Sequence, residues 1–281
     1  MKFALSTLAL PPASLPLLLP HLRQMGFTGI EVMPAALPAG SRALATFRYS
    51  AEQAGLEIVG LDDILSEPFH LARLADPAEM TALVERIAGL SALCRDLGGH
   101  SLTLGSQRRI GDVPSSEAWT LCRLFLDKLL PRIEEHGTLF CFEPLGPQHA
   151  DFCGPARECR LLVDYVDHPG FGLQMNSRAQ VENGEPGHAP FSALRGRLDL
   201  FQASEPGFAP IGETGLVDHA DMRRHLSSIN HKNWVVLKQR PAADPLEGLR
   251  QSARLFSDWY LRLDNLSMLK RQAALAQGAS L

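Results

Sequence analysis

The chain has 281 residues, of which 45% are hydrophobic and 21% charged, a balance ordinary for a globular protein with a sizeable core. Its formal net charge of −4 comes without any basic block, which argues against nucleic acid or an anionic membrane as partner. Five cysteines (94, 122, 141, 153 and 159) lack CxxC spacing, so neither a disulfide framework nor a zinc knot is indicated, and reduced thiols in a cytoplasmic protein are expected.

The opening segment, MKFALSTLALPPASLPLLLP, has the charge and apolar run of a signal peptide, but prolines at 11, 12, 16 and 20 break any long helix there. It reads instead as a strand from Lys2 to Leu8 followed by a Pro-rich helix start. A helix then ends near the MGF tripeptide, TGIEVMP reads as a second strand, and a helix over Leu44–Ala54 stops at Gly55. LEIVGLDDI follows as a third strand, before a long helix over Ala78–Leu97 that the Gly98–Gly99 pair terminates. HSLTLGS is the fourth strand, and Pro114 to Glu117 open a helix reaching about His136. TLFCFEP, GFGLQM, LDLFQAS and WVVLKQ supply strands five to eight, with helices at Pro155–Val166 and Asp218–Ile229. No apolar stretch approaches the ~18 residues of a membrane span.

Eight mostly continuous apolar runs separated by helix-length segments predict parallel βαβ units covered on both faces. The length is close to the ~250 residues of a (β/α)₈ barrel. An open doubly wound sheet is the alternative, but no Gly-rich phosphate loop opens the first helix. The expected fold is a single (β/α)₈ TIM barrel over residues 1–265, with 266–281 as a frayed or loosely docked helical tail.

Working residues of such a barrel sit at the C-terminal strand ends. The polar side chains there are Glu31, Asp62, Asp63, Ser106, Arg108, Arg109, Glu143, Asn176, Gln202, Ser204, Glu205, Lys238 and Arg240. Glu31 and Asp63 either face a ligand or pair with a rim arginine; Asp62 is a base or a helix N-cap; Arg108 and Arg109 are anion ligands or solvated loop charges. Glu143, ending LFCF, and Lys238, ending WVVL, follow runs too apolar for surface decoration, so they either act on a substrate or form a structural ion pair. No HxH, HxxxE or HExxH spacing marks a histidine metal site.

The fragments MGFTGIEVMP, TLGS, FCFEPLGPQHADF, GFGLQMNSR, FQASEPGFAPIGETGLVDH and NWVVLKQR, taken in order, resemble the xylose-isomerase-like TIM barrels over residues 2–260. That family includes sugar-phosphate isomerases, sugar 3-epimerases, sugar-acid dehydratases and endonuclease-IV-like enzymes. The resemblance implies one divalent cation held by Glu, Asp, His and Glu on strands five to eight, with the two glutamates moving a proton. Those positions fall on Glu143, Asn176, Gln202 and Lys238, and a neighbouring substrate-contacting His falls on Ala179. One ligand of four is kept, and an ammonium is no ligand at all. The resemblance therefore implies no metal and no other cofactor, with Lys238 facing Glu143 in the metal's place.

Two functions are expected from this arrangement. One is a metal-independent isomerase, epimerase or dehydratase acting by proton transfer on a small hydroxy-carbonyl, sugar-like substrate. Glu143 and Lys238 are then its catalytic pair, and Glu31, Asp63, Arg108, Asn176, Gln202 and Glu205 bind substrate. The other is an inactive barrel that binds a small molecule or a protein. A metal elsewhere, on Glu31, Asp63, Glu143 or Glu205, is a third reading. A homodimer is expected by family analogy alone.

Overall fold

Apolar strands with no edge left over require a closed sheet, and the eight parallel strands close into a barrel in the computed structural model. The structure describes residues 1–11, 14–105 and 107–261. The strands are β1 (Lys2–Ser6), β2 (Gly29–Val32), β3 (Glu57–Leu61), β4 (Ser101–Leu104), β5 (Leu139–Phe142), β6 (Phe171–Asn176), β7 (Leu198–Ala203) and β8 (Trp234–Leu237). Their order follows the chain, and β8 pairs with β1 to close the ring. The fold is the single (β/α)₈ barrel expected. The tail expected from residue 266, like Ser106, lies outside the described residues.

Around the barrel run α1 (Leu15–Leu22), α2 (Ser41–Gln53), α3 (Pro77–Leu97), α4 (Ser115–Ile133), α5 (Ala156–Val166), α6 (Ser177–Glu182), α7 (Ala189–Leu194), α8 (His219–Ser228) and α9 (Pro245–Tyr260). Local chemistry sets their ends. Asp76 caps α3 by accepting from the Ala78 N–H at 2.7 Å, and Gly98 ends it in the left-handed region at φ 87°. Asp218 and Asp244 cap α8 and α9 in the same way. The first strand is shorter than expected, because Ser6 accepts from the Leu8 N–H and turns Thr7–Ala9 into a 3₁₀ turn. Helices α6, α7 and α9 go beyond the sequence reading, as does a two-residue parallel ladder, Phe69–His70 with Arg108–Arg109, outside the barrel.

The core has two parts. Between sheet and helices lies one continuous apolar cluster, in which Phe140, Phe142 and Phe171 meet ring to ring. Inside the barrel a small cluster of Ala4, Val59, Leu200 and Val236, with Trp234 against it, makes an apolar floor. Gly29 makes room for the indole, since a Cβ there would lie 2.7 Å from it. At Gly60 a Cβ would lie 2.1 Å from the Ser101 carbonyl oxygen, where β3 and β4 pair. Gly60→Ala is therefore expected to cost at least about 1–3 kcal/mol, the usual range for overpacking; a urea midpoint equal to wild type would show that the strands simply separate.

Candidate functional site

Strand alternation builds the site above that floor. Residues two apart share a face, so Lys238 follows Trp234 and Val236 on the inner face of β8. Gln202 likewise follows Leu200 on β7, and Gln174 precedes Asn176 on β6. Register places Asn176 beside Gln202, and β8 beside β7 with the Lys238 N–H on the Ala203 carbonyl at 3.0 Å. The result is a ring of buried polar side chains at the C-terminal mouth: Glu31, Asp62, Glu143, Gln174, Asn176, Gln202 and Lys238.

The ring divides into linked pairs. Glu143 Oε2 accepts from Asn176 Nδ2 at 2.7 Å and from Gln174 Nε2. Asn176 serves twice, because its Oδ1 also accepts from the Ala179 N–H and caps α6. Glu31 Oε2 accepts from Gln202 Nε2 at 2.7 Å. Lys238 Nζ lies 2.6 Å from Asp62 Oδ2, both side chains buried. The ion pair expected between Glu143 and Lys238 is thus made by Asp62 instead. Asp62 directly follows β3 and is no helix cap; among the described residues Lys238 has no ion pair with Glu143 within 4 Å.

Three carboxylates share one ammonium in this ring, and the titration of the two glutamates and the lysine reflects it. Burial first, then the Asp62 charge, pushes Glu31 well above the ordinary glutamate range. Glu143 is raised by burial, with Lys238 opposing and Asp62 adding to the rise. For Lys238, burial disfavours the charge, but Asp62, Glu143 and Glu31 outweigh it and hold the pKa above that of a free lysine. The ammonium is therefore charged at neutral pH.

A raised carboxyl pKa means that the folded chain binds the proton more tightly than the unfolded one. The Glu31 carboxyl therefore favours the fold most at low pH, and this contribution fades as pH rises from the unfolded glutamate value through its folded pKa. Glu31→Gln, with Gln202 turned to offer its unpaired Oε1, is expected to flatten that slope. Chemical-denaturation midpoints from pH 4.5 to 8.5 check this; an unchanged slope would place the titration elsewhere.

Above the ring opens a cavity of about 300 Å³. Glu143 and Lys238 reach it from the barrel, with Asp63, His149, Arg178 and Phe208 around them. Glu143 Oε1 accepts no hydrogen bond from a described residue, and Gly105 leaves it space, since a Cβ there would lie 3.0 Å from it. Asp63 sits at φ 49° directly after the buried Asp62. The Phe69–His70 and Arg108–Arg109 ladder ties down the neighbouring loops: the Arg108 N–H donates to His149 O and the Asp151 N–H to Arg108 O.

The structure does not bring every expected side chain here. Arg108 is fully buried, and its guanidinium donates to the carbonyls of Glu143 (2.6 Å), Cys153 (2.7 Å), Phe152 (3.2 Å) and Leu104 (3.4 Å). It clamps strand ends together. Glu205 turns outward to the Gly212 N–H (2.9 Å), Thr214 and His219 Nε2 (3.0 Å). Burial alone would raise its pKa, but these donors outweigh it and hold the carboxyl below the ordinary range. His219 in turn bonds the Tyr260 hydroxyl at 2.9 Å, so Glu205 fastens the loop after β7 to α9. Glu31, Asn176 and Gln202 lie in the ring beneath the cavity. Sequence reasoning missed Gln174, which alternation from Asn176 would have found, and His149 and Arg178, which no strand-end rule marks.

The donor set does not suit a divalent cation. Asn176 spends its oxygen on a backbone N–H, the amides of Gln174, Asn176 and Gln202 present nitrogen donors to Glu143 and Glu31, and a charged ammonium stands among the carboxylates. Among the described residues no three His, Cys, Asp or Glu side chains form a cluster able to hold a metal.

The sequence profile of the xylose isomerase-like TIM barrels matches residues 19–259. The chain belongs to that family. Among solved structures, this xylose isomerase-like barrel resembles a D-psicose 3-epimerase from Clostridium cellulolyticum H10 at TM-score 0.78 and 14% identity, over 92% of this chain and 98% of that one. It also resembles a 3-keto-D-glucoside 4-epimerase from E. coli (TM-score 0.77, 15% identity, 92% and 99% covered). An L-ribulose 3-epimerase matches at TM-score 0.75 and 16% identity, over 98% of both chains. No curated protein sequence matches the chain. No helix among the described residues is long and apolar enough to cross a membrane.

Proposed function

We propose that this barrel is a proton-transfer enzyme of the isomerase or epimerase type, acting without a metal on a small hydroxy-carbonyl, sugar-like compound. One observation carries the reading: a buried carboxyl with an open oxygen and a buried, charged ammonium line the same 300 Å³ cavity at the barrel mouth. Glu143 Oε1 takes the proton from the carbon next to the substrate carbonyl. Its other oxygen is held by two amides, so the base is positioned before substrate arrives. A raised pKa brings the carboxyl closer to the neutral range where a general base works best. Lys238, fixed by Asp62, supplies positive charge for the enolate oxygen that develops. Its raised pKa opposes a Schiff-base role, which needs free amine. Return of the proton from Glu143 to the neighbouring carbon, as the hydroxyl proton of the enediol passes from one oxygen to the other, gives isomerisation. Delivery of a solvent proton to the opposite face of the original carbon, with Glu143 releasing its own to solvent, gives epimerisation.

Fold relatives that are sugar epimerases support the substrate class. The test is deuterium incorporation from D₂O, followed by NMR, over a panel of ketoses, aldoses and keto-sugar acids. Exchange at one carbon bound to Glu143-containing protein, and lost in Glu143→Gln, is the expected outcome.

A second reading, a binding barrel without turnover, is favoured by the self-sufficiency of the ring: Asp62 neutralises Lys238, and amides occupy one Glu143 oxygen. Ligand binding by calorimetry with no exchange on any panel member would select it.

A further inference from the structure

Arg178, in the first turn of α6, is buried yet donates no hydrogen bond to any described residue. Its Nε is 3.8 Å from Glu182 Oε1, beyond hydrogen-bond range, and its guanidinium lies over the Phe208 ring, 4.3 Å from the centroid. Arg108, equally buried, shows the ordinary solution in this fold, with its donors spent on backbone carbonyls. Leaving a buried cation without acceptors is costly, and Arg178 lines the same cavity as Glu143 and Lys238. The Phe208 ring lies against the guanidinium, and N–H groups that donate to no described residue are able to receive two oxygens of one anionic group.

We propose that Arg178 anchors an oxyanion on the substrate, so that the cavity selects a short hydroxy-carbonyl chain carrying a carboxylate or phosphate over a neutral sugar. This deepens the proton-transfer reading and rests on it for the identity of the site. The groups facing the anchor are consistent with one bound anion. Glu182 lies too far for a hydrogen bond and offsets the charge only in part, with His149 Nε2 3.9 Å from its other oxygen. Lys238 is already paired with Asp62. Among the described residues lining the cavity, Arg178 is thus a cation with neither a donated hydrogen bond nor an ion-pair contact closer than 3.8 Å.

The test uses isothermal calorimetry on the intact protein with three probes: 5-keto-D-gluconate, D-fructose 6-phosphate and D-fructose. Wild-type protein is expected to bind one of the two anions on the order of 10–100-fold more tightly than D-fructose, and which of them does so separates carboxylate from phosphate recognition. Arg178→Gln and Arg178→Lys are expected to lose most of that preference, Lys retaining charge but not the two-pronged geometry. Preference in wild type requires no variant, so a variant that fails to fold leaves the proposal testable. Equal binding of D-fructose and both anions, or full preference in a folded Arg178→Gln protein, overturns it, whatever the D₂O experiment shows. Anion preference with no deuterium exchange upholds the anchor and overturns the proton-transfer reading alone.

Discussion

Glu143→Gln is expected to lower the rate of deuterium exchange into a responsive substrate by about 10²–10⁴-fold, the usual contribution of a positioned general base. The substitution is nearly isosteric, and the ring dictates how it sits. Gln174 and Asn176 both donate to the Oε2 position, so the new amide must turn its oxygen there. Its NH₂ then occupies the Oε1 position facing the cavity, a donor where the base had been. The fold should be kept, because burial and the Asp62 charge already disfavour the ionised carboxyl at this position. Circular dichroism and a denaturation midpoint near wild type accompany the expected loss. Exchange at the wild-type rate in a folded variant would remove Glu143 from the mechanism.

Lys238→Met should affect stability most. Removing the ammonium leaves Asp62 fully buried without its ion-pair partner, next to two more carboxyls. Breaking one side of such a pair costs about 3–5 kcal/mol, whereas removing both charges together is often nearly neutral. The double variant Asp62→Asn with Lys238→Met is therefore expected to recover most of the loss, read from urea midpoints at pH 7. The penalty should also shrink toward acid pH, where the uncompensated carboxyls take up protons. A single-variant cost below about 1 kcal/mol would place the pair among weak surface-like contacts and remove the reason for Lys238 remaining charged and fixed.

The two outcomes together separate chemistry from architecture. If Glu143→Gln abolishes exchange while Asp62→Asn with Lys238→Met keeps the fold but also loses exchange, both members of the proposed pair act on substrate. A double variant that is stable and fully active would leave Glu143 working without the ammonium, and the enolate charge would need another partner in the cavity.

The sequence by itself determined the barrel and the side chains available at its mouth. Eight apolar runs with helix-length connections leave few ways to bury both faces of every strand. Period-two alternation is local, so Lys238 had to share a face with Val236 and Trp234, and Asn176 with Gln174. The missing ligand types were equally legible, since the resemblance implies Asp, His and Glu at the positions of Asn176, Gln202 and Lys238. Only the tertiary structure decided who meets whom. Asp62 and Lys238 are 176 positions apart in the chain, and barrel closure through β1 and β8, with register shifts at Ile30/Glu31 and Leu173/Gln174, sets which charges face each other. The same holds for arginines of identical chemistry. Arg108 is consumed by carbonyls of strand ends and the loop after β5, while the Arg178 guanidinium lies over Phe208 from the following β-strand's loop. A side chain's direction from its own strand is a property of neighbouring residues, but its hydrogen-bond partners depend on where distant segments place their polar atoms.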